Sequence, residues 1–144
     1  MPKRFVAGSG GTIFHVINRG ARRGQLFGSS DDYAAFLAVL CETQERFGTR
    51  LLSFGLMSNH WHLVVWPAGD HDLSRDMQWL TRTHAQRWHL ARRSVGTGAV
   101  YQGRYRAIPV QHDAHFLTVC SYVERNALRA GIVERAEDWR EDRQ

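Results

Sequence analysis

The sequence has only two cysteines and no long apolar run, and each shortage excludes a class of protein. Cys41 and Cys120 each stand alone within an apolar helical pattern, so we expect buried free thiols rather than a disulfide or a cysteine-type zinc site. No stretch approaches the roughly 18 apolar residues that a membrane span requires. No apolar block follows residues 1–4, so we expect no signal peptide, no membrane partner and a cytoplasmic protein.

Lysine is almost absent, because Lys3 is the one lysine among nineteen basic residues. Fourteen acidic residues leave a net charge of +5, and five Trp, seven Phe and four Tyr accompany the arginines. Arginine pairs bidentately with phosphate and stacks on flat rings. A basic, arginine-dominated surface with aromatic rings favours single-stranded nucleic acid as the partner. High-GC coding also converts lysine to arginine, so the charge supports this partner without proving it.

Residues 56–66 (LMSNHWHLVVW) predict a buried strand that carries two histidines. Side chains two residues apart on a strand point to the same face, so His60 and His62 would present their imidazoles side by side. Trp61 would point to the opposite face. Two imidazoles at this spacing form half of a metal site, although a pair of hydrogen-bonded histidines explains the pattern equally well. His15, on an earlier strand, could line a site, but a satisfied strand histidine is the simpler interpretation.

The order of predicted elements indicates an α+β fold in a single domain over residues 1–144. Strands are predicted over residues 12–18, 50–57, the histidine run and 101–110, with a hairpin turn at residues 58–59. One helix lies between the cap Ser29 and Gly48, and a second is capped by Asp72. The buried stripe of the second helix comprises Leu73, Met77, Leu80, His84, Trp88 and Ala91. This βαββαβ order predicts the ferredoxin-like sandwich, and residues 114–130 add a C-terminal helix.

The C-terminal helix carries Tyr122 and Asn126, which lie four residues apart and therefore share one face. Asn is a mediocre helix former, so a task for its side chain is plausible. Tyrosine on a helix more often packs with its hydroxyl in water. Several arginines, on loops, strands and the second helix, are candidate DNA-binding residues, although a solvated basic face explains those on the helix equally well. These candidates are Arg19, Arg22, Arg23, Arg82, Arg87, Arg104 and Arg106.

Four segments together resemble one known family. They are residues 12–20 (TIFHVINRG), 56–63 (LMSNHWHL), 101–106 (YQGRYR) and 122–131 (YVERNALRAG). In this order and spacing they resemble the IS200-like Y1 transposases of the HUH nuclease superfamily, and most of all the REP-associated tyrosine transposases. The resemblance covers about residues 12–139. Ser58 and Ala127 stand where family members usually have proline, and residues 137–144 lack the Trp-Ser-Ser-like ending of the family.

The resemblance implies a single-stranded DNA endonuclease and strand transferase that acts at hairpin-forming repeats. His60, His62 and Asn126 would bind a divalent ion, Mg²⁺ or Mn²⁺, and two imidazoles fit Mn²⁺ better. Tyr122 would attack the scissile phosphorus and form a 5′-phosphotyrosine. Relatives act either as homodimers with the tyrosine helix supplied across subunits or as monomers with the tyrosine in cis.

Three other functions deserve comparison. A histidine-triad nucleotide hydrolase needs a third histidine where this chain has Val64. A metal-free RNA-binding domain of the same fold predicts exposed aromatic side chains on the central strands, whereas Trp61 should face away from the histidines. A non-catalytic protein that binds or regulates single-stranded DNA hairpins is the alternative that uses the same fold.

Overall fold

The computed structural model describes residues 11–110 as a four-stranded sheet covered on one face by two helices. The elements are β1 (Ile13–Arg19), a short 3-10 helix (Ala21–Arg23), α1 (Ser30–Phe47), β2 (Arg50–Met57), β3 (His60–Trp66), α2 (Asp72–Arg92) and β4 (Arg106–Val110). The strand order is β2-β3-β1-β4, and all neighbours are antiparallel. This is the arrangement predicted for the ferredoxin-like sandwich. The predicted C-terminal helix and Cys120 lie outside the described residues, and a single domain over all 144 residues stays a prediction.

α1 begins and ends where its capping residues predict. The Ser29 hydroxyl accepts a hydrogen bond from the backbone N–H of Asp32 at 3.4 Å, and Gly48 ends the helix in the left-handed conformation with φ of 73°. The prediction that Cys41 is buried is wrong, because its side chain is exposed. The buried face of α1 comprises Phe36, Val39, Leu40 and Thr43, and Cys41 lies beside that face rather than on it.

α2 starts at Asp72, but Asp72 does not cap it. Its carboxylate accepts a hydrogen bond from the backbone N–H of Gly69 at 2.9 Å and so shapes the preceding turn. The predicted buried stripe holds for Leu73, Met77, Leu80 and His84. It ends at the half-buried Trp88, and Ala91 is exposed. The helix therefore extends past the core by about its last turn. No helix within residues 11–110 is both long and apolar enough to cross a membrane.

The main core lies between the two helices and the even-numbered side chains of β1, together with Trp61, Leu63 and Val65 of β3. At its centre the Trp61 Nε1–H donates to the Tyr101 hydroxyl at 2.9 Å, and that oxygen lies 2.6 Å from His84 Nδ1. Tyr101 pairs with Gly20 in an isolated bridge instead of opening β4. The predicted strand over residues 101–110 is thus too long, because residues 102–104 form a bend and β4 begins at Arg106.

Candidate active site

The register of β1 and β3 places the two histidines on the sheet face opposite the helices. His60 pairs with Arg19, and His62 pairs with Ile17, so these four side chains share one face at one end of the sheet. Trp61 points to the other face, is fully buried and packs against Phe36 with ring centroids 5.5 Å apart. The two-residue spacing therefore separates the imidazoles from the core, as the sequence predicts.

Three imidazoles lie together on this face. His15 Nε2 and His62 Nδ1 are 2.9 Å apart and share a hydrogen bond, and the two rings are stacked with centroids 5.1 Å apart. The His60 and His62 centroids are 4.9 Å apart, and their rings are nearly perpendicular. His15 is therefore a hydrogen-bonded strand histidine, as the simpler interpretation held. Its partner is one of the proposed metal ligands, which the sequence did not indicate.

The environment favours neutral imidazoles. Burial, with the nearby His15, His60 and Arg19 adding to it, lowers the pKa of His62 to about 3. Burial and then the charge of Arg19 lower the pKa of His60, and burial lowers that of His15. A neutral imidazole keeps a lone pair on one ring nitrogen, which is the form that binds a metal ion.

Asn59 determines which nitrogen of His60 carries that lone pair. The Asn59 side-chain oxygen lies 2.7 Å from His60 Nδ1, and a carboxamide oxygen can only accept a hydrogen bond. His60 therefore carries its proton on Nδ1 and its lone pair on Nε2. The sequence predicts Asn59 as a turn residue, and its position directly before His60 is a signal for this contact.

The donor set is suitable for a divalent ion but incomplete within the described part of the chain. Two imidazole nitrogens suit Mn²⁺ better than Mg²⁺, which prefers oxygen ligands. Residues 11–110 contain no group of three or more His, Cys, Asp or Glu side chains arranged to hold a metal ion. The predicted third ligand, Asn126, and the predicted nucleophile, Tyr122, lie outside the described residues.

A basic cleft of about 400 Å³ adjoins the histidines at the same end of the sheet. It is formed where the Gln102 backbone N–H donates to the Arg19 carbonyl at 2.9 Å, which holds the bend before β4 against the end of β1. The cleft is lined by Ile17, Asn18, Arg19, Gln102, Gly103, Arg104 and Arg106. Three of the predicted DNA-binding arginines, Arg19, Arg104 and Arg106, therefore meet here, and all three are exposed.

The remaining arginine candidates lie elsewhere. Arg22 is exposed in the short 3-10 helix, which also contains Arg23, and Arg82 is exposed on α2. Arg87, also on α2, donates two hydrogen bonds to the Glu42 carboxylate at 2.7 and 2.9 Å. This bidentate pair neutralises the charge of Arg87 locally, whereas the cleft arginines have no carboxylate within ion-pair distance among residues 11–110.

Comparison with known proteins gives consistent results. Residues 10–126 match the family described as "Transposase IS200 like". A solved REP-associated tyrosine transposase bound to a REP hairpin is 20% identical with a TM-score of 0.66, and the match covers 96% of this chain and 79% of that chain. A candidate transposase from Deinococcus radiodurans R1 is 16% identical with a TM-score of 0.57, covering 88% and 96%. At these identities the two structures show a shared fold. No curated protein matches the sequence.

Proposed function

The chain belongs to the IS200-like transposase family, and from this premise we propose that it is a metal-dependent single-stranded DNA endonuclease and strand transferase. Its substrate would be DNA at or near hairpin-forming repeats. The observation that carries the proposal is the pair His60 and His62, neutral and side by side, next to a cleft lined by Arg19, Arg104 and Arg106. Imidazoles that can bind a cation and guanidiniums that can bind phosphate thus lie at one end of one sheet face.

In this proposal each residue has one task. His60 and His62 hold Mg²⁺ or Mn²⁺ through ring nitrogens, and Asn126 adds its side-chain amide oxygen. The bound ion supplies Lewis-acid polarisation of the scissile phosphate. All three ligands are neutral, so they leave the charge of the ion undiminished. The segment with Asn126, from the same chain or from a second copy, must reach the histidine face.

Tyr122 is the proposed nucleophile. Its phenol oxygen forms a bond to phosphorus while the bond from phosphorus to the 3′-oxygen breaks, which leaves a 5′-phosphotyrosine and a free 3′-hydroxyl. The phenol loses its proton, and the departing 3′-oxygen gains one. An unperturbed tyrosine has a pKa near 10, so about one in a thousand is ionised at neutral pH. Because the covalent link preserves the phosphodiester, rejoining requires no nucleotide cofactor.

The basic cleft is the proposed path of the DNA backbone. Arginine pairs bidentately with phosphate oxygens, and Arg104 and Arg106 are exposed for such contacts. The structurally similar REP-associated transposase was solved with a REP hairpin, which supports a folded hairpin as the substrate class here.

The test is incubation with single-stranded hairpin DNA and Mn²⁺, followed by a denaturing gel. Wild-type protein should yield a DNA-linked band that is absent in Tyr122→Phe. His62→Ala should lose cleavage yet retain hairpin binding, and His71→Ala, at an exposed histidine just before α2, is the matched control that should keep both. Hairpin binding without an adduct under any divalent ion would instead establish the non-catalytic, hairpin-binding alternative.

A further inference from the structure

His15 contacts the ring of His62 from the neighbouring strand β1. In the sheet register His15 pairs with Val64, two positions along from the Ile17–His62 pair and on the same face, so its ring reaches His62 diagonally across the two strands. The contact joins His15 Nε2 to His62 Nδ1 at 2.9 Å, and the stacked rings hold both nitrogens in place.

One proton occupies this contact, and its location decides the chemistry of His62. If His15 Nε2 carries the proton, His62 accepts at Nδ1 and must carry its own proton on Nε2. If His62 Nδ1 carries the proton, His15 accepts and His62 Nε2 keeps its lone pair. A neutral imidazole can bind a metal ion only through the nitrogen that bears the lone pair. Only the second arrangement therefore allows His62 to act as a ligand through Nε2.

We propose that His15 is a positioning residue that accepts a hydrogen bond from His62 Nδ1–H and thereby holds His62 in its metal-binding tautomer. The inference rests on the proposed function insofar as it concerns the metal ion. His15 is not itself a further ligand through this atom, because its Nε2 is engaged with His62. The tautomer assignment applies to the metal-free chain as well.

The neighbouring ligand is held in the same manner. Asn59 accepts from His60 Nδ1 at 2.7 Å, so His60 presents Nε2. With His15 acting on His62, both imidazoles would be oriented through Nδ1 and would present Nε2. Outer-shell partners of this kind fix the ring orientation and tautomer of metal-binding histidines, and their loss commonly weakens metal affinity by about 10- to 100-fold.

Three variants separate this role from simple packing. His15→Gln keeps an acceptor oxygen at a similar distance from the strand, and His15→Phe keeps a flat ring without an acceptor. His71→Phe makes the same change at an exposed histidine and serves as the control. Titration calorimetry with Mn²⁺ alone should show about 10- to 100-fold weaker binding for His15→Phe. Affinity should recover largely in His15→Gln and stay unchanged in His71→Phe.

A second measurement does not depend on the metal. Long-range ¹H–¹⁵N spectra of the metal-free protein distinguish protonated from unprotonated ring nitrogens, and they should show His62 protonated at Nδ1 in wild type and in His15→Gln. A proton on Nε2 of His62 in wild type would overturn the inference, as would an unchanged Mn²⁺ affinity in a folded His15→Phe. If wild type binds no Mn²⁺, the metal-dependent function fails, and the spectra still decide the role of His15.

Discussion

The buried contact between Trp61, Tyr101 and His84 gives a stability prediction whose size follows from the structure. Trp61 Nε1–H donates to the Tyr101 oxygen at 2.9 Å, which leaves the Tyr101 hydroxyl hydrogen to donate to His84 Nδ1 at 2.6 Å. Tyr101→Phe removes this shared partner from a donor and an acceptor that lie in the core. Each of the two buried polar groups left unsatisfied costs about 1–3 kcal/mol, so we expect the free energy of unfolding to fall by about 2–6 kcal/mol.

Urea unfolding at pH 7.5 measures this change, and the dependence on urea should keep its slope because the surface exposed on unfolding is the same. Tyr105→Phe is the matched control, since the Tyr105 hydroxyl is half-buried and lies 3.4 Å from Ser74 Oγ. The control should lose less than about 1 kcal/mol. If Tyr101→Phe were no less stable than Tyr105→Phe, the argument that this hydroxyl satisfies two buried groups would be refuted.

Three further predictions concern pH, DNA binding and backbone conformation. Burial, with the charge of Arg92 adding to it, lowers the pKa of His84 from 6.5 to about 4. Between pH 6.5 and pH 4, His84 therefore takes up a proton in the unfolded chain but not in the folded chain. The His84 contribution to stability should therefore be complete above pH 6.5 and fall by about 3 kcal/mol as the pH drops to 4, measured by urea titrations across that range. Arg104→Ala should reduce the slope of log affinity against log salt for single-stranded DNA by about 0.7, whereas Arg87→Ala, whose guanidinium is paired within the fold, should leave it unchanged. Gly48→Ala should lower the free energy of unfolding by about 1 kcal/mol because φ at this residue is 73°. Gly103→Ala, with open space at its Cβ position, is the control in the same denaturation assay.

Local patterns predicted most of the fold because local chemistry determines it. The strand over residues 50–57, the turn at residues 58–59 and the start of β3 at His60 follow from apolar β-formers interrupted by two turn residues. α1 follows from its two caps, Ser29 and Gly48. Alternation along β3 also predicted that Trp61 and the histidines would face opposite ways.

Three of the wrong predictions share one physical cause, which is that a sequence pattern does not show which positions a neighbouring element covers. Ala91 continues the apolar stripe of α2, but the helix extends past the core there. Cys41 adjoins the apolar face of α1 without being part of it. Tyr101 has a strand-like sequence around it, yet its hydroxyl bonds in the core hold it outside β4.

Only the part of the candidate site that lies on a single strand was predictable from the sequence. The spacing of His60 and His62 places two imidazoles together, but the contact of His15 with His62 joins residues 47 apart in sequence. That contact depends on the register between β1 and β3, which alternation alone does not specify. The roles of Tyr122 and Asn126 stay predictions, because these residues lie outside the described part of the chain.

The opposite orientation of alternate side chains has a practical consequence for engineering. At the cleft end of the sheet, Ile17, Arg19 and Arg106 point away from the layer in which Trp61 and Leu63 pack. Under the proposed function, a combinatorial library restricted to the first three positions would vary contacts to the DNA backbone while sparing foldability. The affinity of the proposed DNA contact could thus be tuned in the laboratory on an unchanged scaffold.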